Sequence, residues 1–303
     1  MQRPSLLAWI LLIILALIWG SSFILIKKGL VGLSSQEVGS LRIVAAFIFM
    51  LPAGIKRFKS VRGQKKMPYL LLAGLLGSLI PSLLFATAQT ELESSVTGVL
   101  NALTPIFTIL IAFLIFKQKQ SRTVFFGVMV GFLGTAILIT AGEKGGMSSI
   151  NGVAFLVVLA TICYASNLNL IKRYLNEINA VTVTSVSLLL VGPIASIHLF
   201  GFTDFMEKLS GGGDVYLPIL YICILGVLGT AIALVIFNKM LQMTTPLFAS
   251  SVTYIIPMIA VVWGVLDGEQ LYLMHYVGML AVGLGVYIAN SNRAAYKKDG
   301  KIK

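Results

Sequence analysis

Long apolar runs alternate with short polar connections along the whole 303-residue chain. Ten of these runs are long enough to cross ~30 Å of hydrocarbon as helices. They lie near Leu6–Ile26, Val38–Ile55, Tyr69–Gln89, Ser95–Phe116, Thr123–Ala141, Ile150–Ile171, Ala180–Phe200, Tyr216–Phe237, Leu247–Leu266 and Leu271–Asn290. One stretch occurs twice. Gly74–Gln118, shifted by 152 positions, lies without a gap on Gly226–Gln270, pairing Gly74 with Gly226, Gly77 with Gly229, Phe85 with Phe237, Pro105 with Pro257 and Gln118 with Gln270. Each copy reads as two apolar helices joined by a polar turn, with a proline inside the second. A repeated pair of proline-interrupted hydrophobic helices is the sequence pointer to the binding site of a secondary transporter.

Composition agrees with a membrane setting. At 57% apolar and 11% charged residues and a mean hydropathy of +0.94, the chain holds more hydrophobic surface than a soluble core can hide. The expected fold class is an all-α polytopic membrane protein of ten transmembrane helices.

Net charge is +12, but the bases cluster between apolar runs, where they set orientation, so no nucleic-acid partner is expected. With cytoplasmic termini, 18 of the 23 Lys and Arg fall inside, 4 outside and Arg42 within a span. The positive-inside rule selects that topology, in the cytoplasmic membrane.

Five runs precede the polar stretch at Gly142–Ser149 and five follow it. An odd number turns the second half upside down, so residues 1–145 and 146–292 read as two inverted five-helix repeats, with a basic cytoplasmic tail at 293–303. Two such halves can exchange conformations about a pseudo-two-fold axis and open one site to alternate sides.

Polar residues inside the spans nominate that site. Asn101 and Thr104 sit with Thr97 and Thr108 on one face of the fourth span, beside Pro105, which frees a backbone carbonyl. Ser78, Ser82 and Gln89 with adjacent Pro81 repeat the device in the third span, and Tyr254 with Pro257 in the ninth. Asn238 marks the eighth span, Tyr164 and Asn167 share a face of the sixth, and Trp19 lies deep in the first. Polar groups are costly in lipid, so they face either a wet cavity or a neighbouring helix as hydrogen-bonding glue. Prolines 81, 105 and 257 are the candidate hinge or packing positions. Arg42 is the strong charge within a span, at ~2.5–3.5 kcal/mol on insertion scales. Standing about 21 Å along a helix from Lys56, it is expected to snorkel or pair with Glu37; facing the cavity instead, it would draw a carboxylate.

Some chemistry is missing. Every Asp and Glu lies in a loop or near a span end, and His198 and His275 sit near span ends, so no mid-membrane proton relay is visible. Cys163 and Cys223 lie in apolar runs, and no metal-ligand or cofactor spacing is present. A nucleophile with a base, or paired carboxylates at one depth, is also lacking, so no enzyme is expected. The glycines of the fifth and tenth spans read as close helix packing.

The chain resembles the drug/metabolite transporter superfamily, in particular its EamA-type ten-helix members. The resemblance rests on Trp19-Gly20-Ser21-Ser22-Phe23 before Lys27, Arg42, Leu103-Thr104-Pro105, Ile255-Ile256-Pro257, Leu266-Asp267-Gly268-Glu269 and the glycines of spans five and ten. It implies a central cavity lined by spans one, three, four, six, eight and nine, and carriage of small organic solutes, often as efflux. The acidic residue such proteins carry at the end of the fourth span is Lys117 here, whereas Glu269 is kept. The expected function is a secondary transporter or exporter of small metabolites, amino-acid-like or aromatic, by alternating access. The alternatives are a carrier of nucleotide sugars or sugar phosphates and a non-transporting membrane scaffold. Expected partners are a small-molecule substrate and the lipid bilayer, with a homodimer as an open option.

Overall fold

A computed structural model describes residues 5–115, 117, 122–140, 152–211, 214–243 and 252–298. Among them the ordered elements are all helical. Seven helical stretches are long and apolar enough to cross a membrane: Leu6–Gly29, Ser35–Val61, Met67–Ala88, Ser94–Leu114, Ala154–Leu175, Ala180–Gly201 and Tyr216–Met240. Three shorter apolar helices, Arg122–Leu138, Ile255–Leu266 and Leu273–Gly285, coincide with the fifth, ninth and tenth runs of the sequence. The ten are called segments one to ten below. An outward belt that includes Ile13, Leu17, Phe126, Met129, Leu133, Leu280 and Leu284 leaves large apolar side chains exposed, as a lipid-facing surface requires. The chain is therefore an all-α polytopic membrane protein.

Local sequence explains where segments begin. Ser34 opens the second with a capping box, its hydroxyl taking the Glu37 amide while the Glu37 carboxylate takes the Ser34 amide. Asn179 caps the seventh through the amide of Val181. Pro68 starts the third, where a missing N–H costs nothing.

Among the described residues five segments depart from plain α-helix, the sixth through a π-helical end at Ile171–Leu175. The first breaks at Ser21, between Leu6–Gly20 and Ser22–Gly29. The fourth breaks at Ala102 and Leu103, between Ser94–Asn101 and Thr104–Leu114. Pro105 has no amide for the carbonyl of Asn101, and the Thr104 hydroxyl donates to that carbonyl at 2.8 Å instead. The third widens into π-helix over Leu75–Leu79, closed by the Ile80 N–H on the Leu75 carbonyl, and the eighth does so over Leu225–Ile232. These two stretches fall on each other at the 152-residue shift.

Packing follows equivalent pairs. Segment two packs along seven, five along ten and four against nine; one meets eight and nine, while six meets three and four. Glycine makes the closest approaches possible. A Cβ on Gly285 would stand 2.3 Å from the Gly131 amide nitrogen, and one on Gly134 2.5 Å from that of Val282. Likewise, a Cβ on Gly74 would lie 2.7 Å from the Ser187 carbonyl oxygen, and one on its repeat partner Gly226 2.5 Å from that of Arg42. The small-residue rows thus serve close contact between segments, as read from the sequence.

Candidate functional site

At the middle of the bundle the matched π-helical turns of segments three and eight receive side chains from segments one, two and six. Trp19 donates its indole N–H to the Gly229 carbonyl at 3.0 Å and tilts against Phe237, ring centres 5.2 Å apart. Asn167 lies against Gly77, the repeat partner of Gly229; a Cβ there would sit 2.3 Å from its side-chain nitrogen. The Asn167 Oδ1 is buried without a hydrogen-bond partner. Each of these two π turns therefore presents a glycine to a polar or amphipathic side chain of the opposite half. Pro81 does not account for the shared distortion, since Ala233 holds its place in the second copy. The paired glycines are common to both, and π turns concentrate where function needs a widened backbone.

Arg42 crosses from the second segment into this region. Its Nε donates to Thr230 Oγ1, within the eighth segment's π turn, at 2.8 Å, and the Tyr164 hydroxyl lies beside its guanidinium. The residue is buried. This overturns both expectations for it: it does not snorkel, and Glu37 is engaged elsewhere, pairing with Lys208 at 2.7 Å. The three-carbon stem turns inward, where Gly226 lets the eighth segment close on the Arg42 backbone. Tyr164 in turn stacks on Phe85 at 5.9 Å, and Phe85 meets Phe23 edge-on at 5.7 Å.

Other sequence candidates spread around this centre. Asn101 is half-buried at the break of the fourth segment, with its carbonyl occupied by Thr104. Thr108 donates to the Thr104 carbonyl and Thr97 to that of Glu93, so those hydroxyls are absorbed by their own segment. Asn238 donates to Thr184 in the seventh segment at 3.2 Å. Asn169 reaches the Thr108 carbonyl and ties six to four. Pro105 starts the second half of segment four, Pro81 starts the helix after the π turn, and Pro257 lies inside the ninth helix. The side chain of Tyr254 lies outside the described residues. Gln89 is buried with both amide atoms unpartnered.

A second cluster, which the sequence reading left as loop charge, closes one end of the bundle. Glu269 has no exposed side-chain surface. Its Oε1 accepts from the Ser94 amide at 2.9 Å, the Ser94 hydroxyl at 2.6 Å and Lys27 Nζ at 2.9 Å; its Oε2 accepts from the Ser95 amide at 3.1 Å and hydroxyl at 2.5 Å. The carboxylate thus caps the start of segment four, where free amides and the helix dipole favour an anion. Lys27 also meets Asp267 at 3.1 Å and Glu93 at 3.3 Å, while Lys28 pairs with Asp267. Burial pushes the Glu269 carboxyl upward, but the bonds from Ser94, Ser95 and Lys27 outweigh it and hold it at about 2. Burial and the nearby Glu269 carboxylate push Glu93 the other way, above its ordinary range. At the opposite end Lys66 and Glu177 form an exposed pair at 2.8 Å.

Neither centre holds three or more His, Cys, Asp or Glu arranged for a metal among the described residues. What the arrangement offers is a polar, aromatic-walled centre between broken helices, with one end latched by charge.

Comparison with known proteins gives this arrangement a family. An uncharacterized transporter of Archaeoglobus fulgidus is 28% identical over 290 residues, covering 94% of this chain and 99% of that protein. An uncharacterized inner membrane transporter of Escherichia coli strain K12, YedA, is 26% identical over 286 residues, covering 90% and 86%. A crystal structure at 15% identity superposes with a TM-score of 0.63 over 96% of this chain and 98% of its own, which shows a shared fold. The EamA-like transporter family profile matches twice, over residues 6–140 and 151–291. Together these matches span nearly the whole chain, and it belongs to the EamA-like transporter family.

Proposed function

We infer that the protein is a secondary carrier that moves a small organic metabolite across the cytoplasmic membrane by alternating access. The observation that carries this reading is the pair of matched π turns. They occur at one register in both copies of the repeated hairpin, each set against a glycine contact from the other half, so the halves hold equivalent, deformable walls around one centre. Discontinuous segments at membrane depth belong where backbone lines a binding site. Support for two inverted repeats, 1–145 and 146–292, comes from the double family match and from the equivalent packing pairs. Loop charge supports cytoplasmic termini, which makes the Lys27–Glu269 end the outer one and the closed face of this conformation. Trp19, Asn101, Tyr164 and Asn167 are the proposed lining.

The test is counterflow in liposomes holding the purified chain, with radiolabelled amino acids, aromatic metabolites, organic anions, cationic drugs and nucleotide sugars offered in turn. One class is expected to exchange, and Asn101→Ala to reduce its rate at least about tenfold without loss of membrane insertion. Well-folded protein that exchanges no class would overturn the carrier and favour a scaffold.

A further inference from the structure

Among the described residues Arg42 is a buried cation that no carboxylate balances. The polar groups that meet it are neutral: the Thr230 hydroxyl on Nε and the Tyr164 hydroxyl beside the guanidinium. Among the described residues the ion pairs engage other partners, and no carboxylate pairs with Arg42. Glu37, the nearest acid along its own helix, is held by Lys208 and by the Ser34 amide. An isolated charge away from water is expensive and is kept where it has work to do. A guanidinium with its Nε fixed by the Thr230 hydroxyl and Tyr164 beside it has four terminal N–H groups, enough to meet Tyr164 and still offer one from each nitrogen as a fork. That fork matches a carboxylate bidentately.

The surroundings complete a site. Tyr164, beside the guanidinium, stacks on Phe85, and Phe85 meets Phe23, so an apolar wall begins within one side chain of the charge. One helical turn along from Tyr164, the buried Asn167 Oδ1 lacks a donor. Thr230 belongs to the π turn of the eighth segment, so the residue that aims Arg42 moves with the wall that must rearrange for the site to change sides.

Resting on the carrier reading above, we propose that Arg42 is the anchor for the substrate's carboxylate, and that the substrate class is a compact monocarboxylate with an apolar or aromatic body. Thr230 acts as a positioning residue for the guanidinium.

The test compares three probes of one shape: 3-phenylpropionate, its neutral amide 3-phenylpropanamide, and the cationic 3-phenylpropylamine. Binding to the purified full chain is followed by titration calorimetry and movement by counterflow in liposomes. Wild type is expected to bind the carboxylate at least about tenfold tighter than the amide, since bonds to charged groups are about twice as strong as neutral ones. Arg42→Gln should erase that preference by weakening carboxylate binding more than amide binding, and Arg42→Lys should restore part of it. The wild-type comparison needs no variant, so a poorly folding Arg42→Gln protein leaves the test intact. Equal binding of acid and amide, preference for the amine, or no carboxylate binding up to about 10 mM would each overturn the anchor. Amine flux without carboxylate binding leaves the carrier standing and removes the anchor; carboxylate bound through Arg42 but never moved does the reverse.

Discussion

Replacing Glu269 by Gln tests what the charged latch contributes. The carboxyl stands at about 2 against an ordinary 4.5, which corresponds to about 3 kcal/mol at 1.36 kcal/mol per unit. Lys27 is a third exposed, and solvent screening on its side lowers the expected contribution to roughly 2–3 kcal/mol. Glutamine keeps the shape but brings a donor to face the Ser95 amide and hydroxyl, and it loses the ion pair. If the latch closes this end, the ratio of open to closed forms should rise about 30- to 150-fold at pH 7. Gln89 supplies the reporter: it is buried at the same end, and its amide atoms have no partners to lose. In a background with Cys163 and Cys223 replaced, Gln89→Cys should react with a membrane-impermeant maleimide faster by that factor once Glu269→Gln is added. The pH dependence has a definite sign. Because the folded carboxyl lies below its unfolded value, its stabilisation is complete above pH 4.5 and is lost as pH falls toward 2. The gap in thermal stability between parent and variant should therefore narrow over that window. Labelling changed by less than about threefold, with a gap that does not move with pH, would refute the latch.

Glycine contacts give a paired prediction: Gly285→Ala drives a methyl into the Gly131 backbone and should destabilise the detergent-purified protein by about 1–3 kcal/mol or prevent assembly. Gly283→Ala, which meets nothing within 4 Å, should melt like wild type, and equal melting of the two would contradict the described approach of segments five and ten. Trp19→Phe keeps an aromatic ring against Phe237 but removes the bond to Gly229, so it should cost about 1 kcal/mol in thermal stability. Melting unchanged from wild type would place Trp19 outside the site's framework.

Helix positions were legible because lipid leaves the backbone one cheap solution: a run of apolar residues long enough to span. The repeat was legible for the same reason, through Gly74, Gly77 and their partners. Whether those glycines sit in α- or π-helix was not, since the extra residue per turn depends on what presses against them, and Trp19 and Asn167 arrive from distant segments. Arg42 shows the limit more sharply. Its depth could be counted along the helix, but its direction depended on the eighth segment closing over it at Gly226. Glu269 looked like a loop acid, because a cap contributed from 174 or 175 positions away leaves no local pattern. Thr97 and Thr108 fell on the expected stripe, yet their hydroxyls turn back onto their own helix, a choice that spacing does not encode.

That distant cap also orders events in time. Ser94, Ser95 and Lys27 leave the ribosome long before Glu269 exists, so the nascent first half enters the bilayer with Lys27 offered Glu93 but neither Asp267 nor Glu269, and with a helix start uncapped. The partner that settles both comes in the turn before the final helix. A chain released before that turn lacks its fastening as well as its last segment, and the amides at the start of segment four stay without their anion.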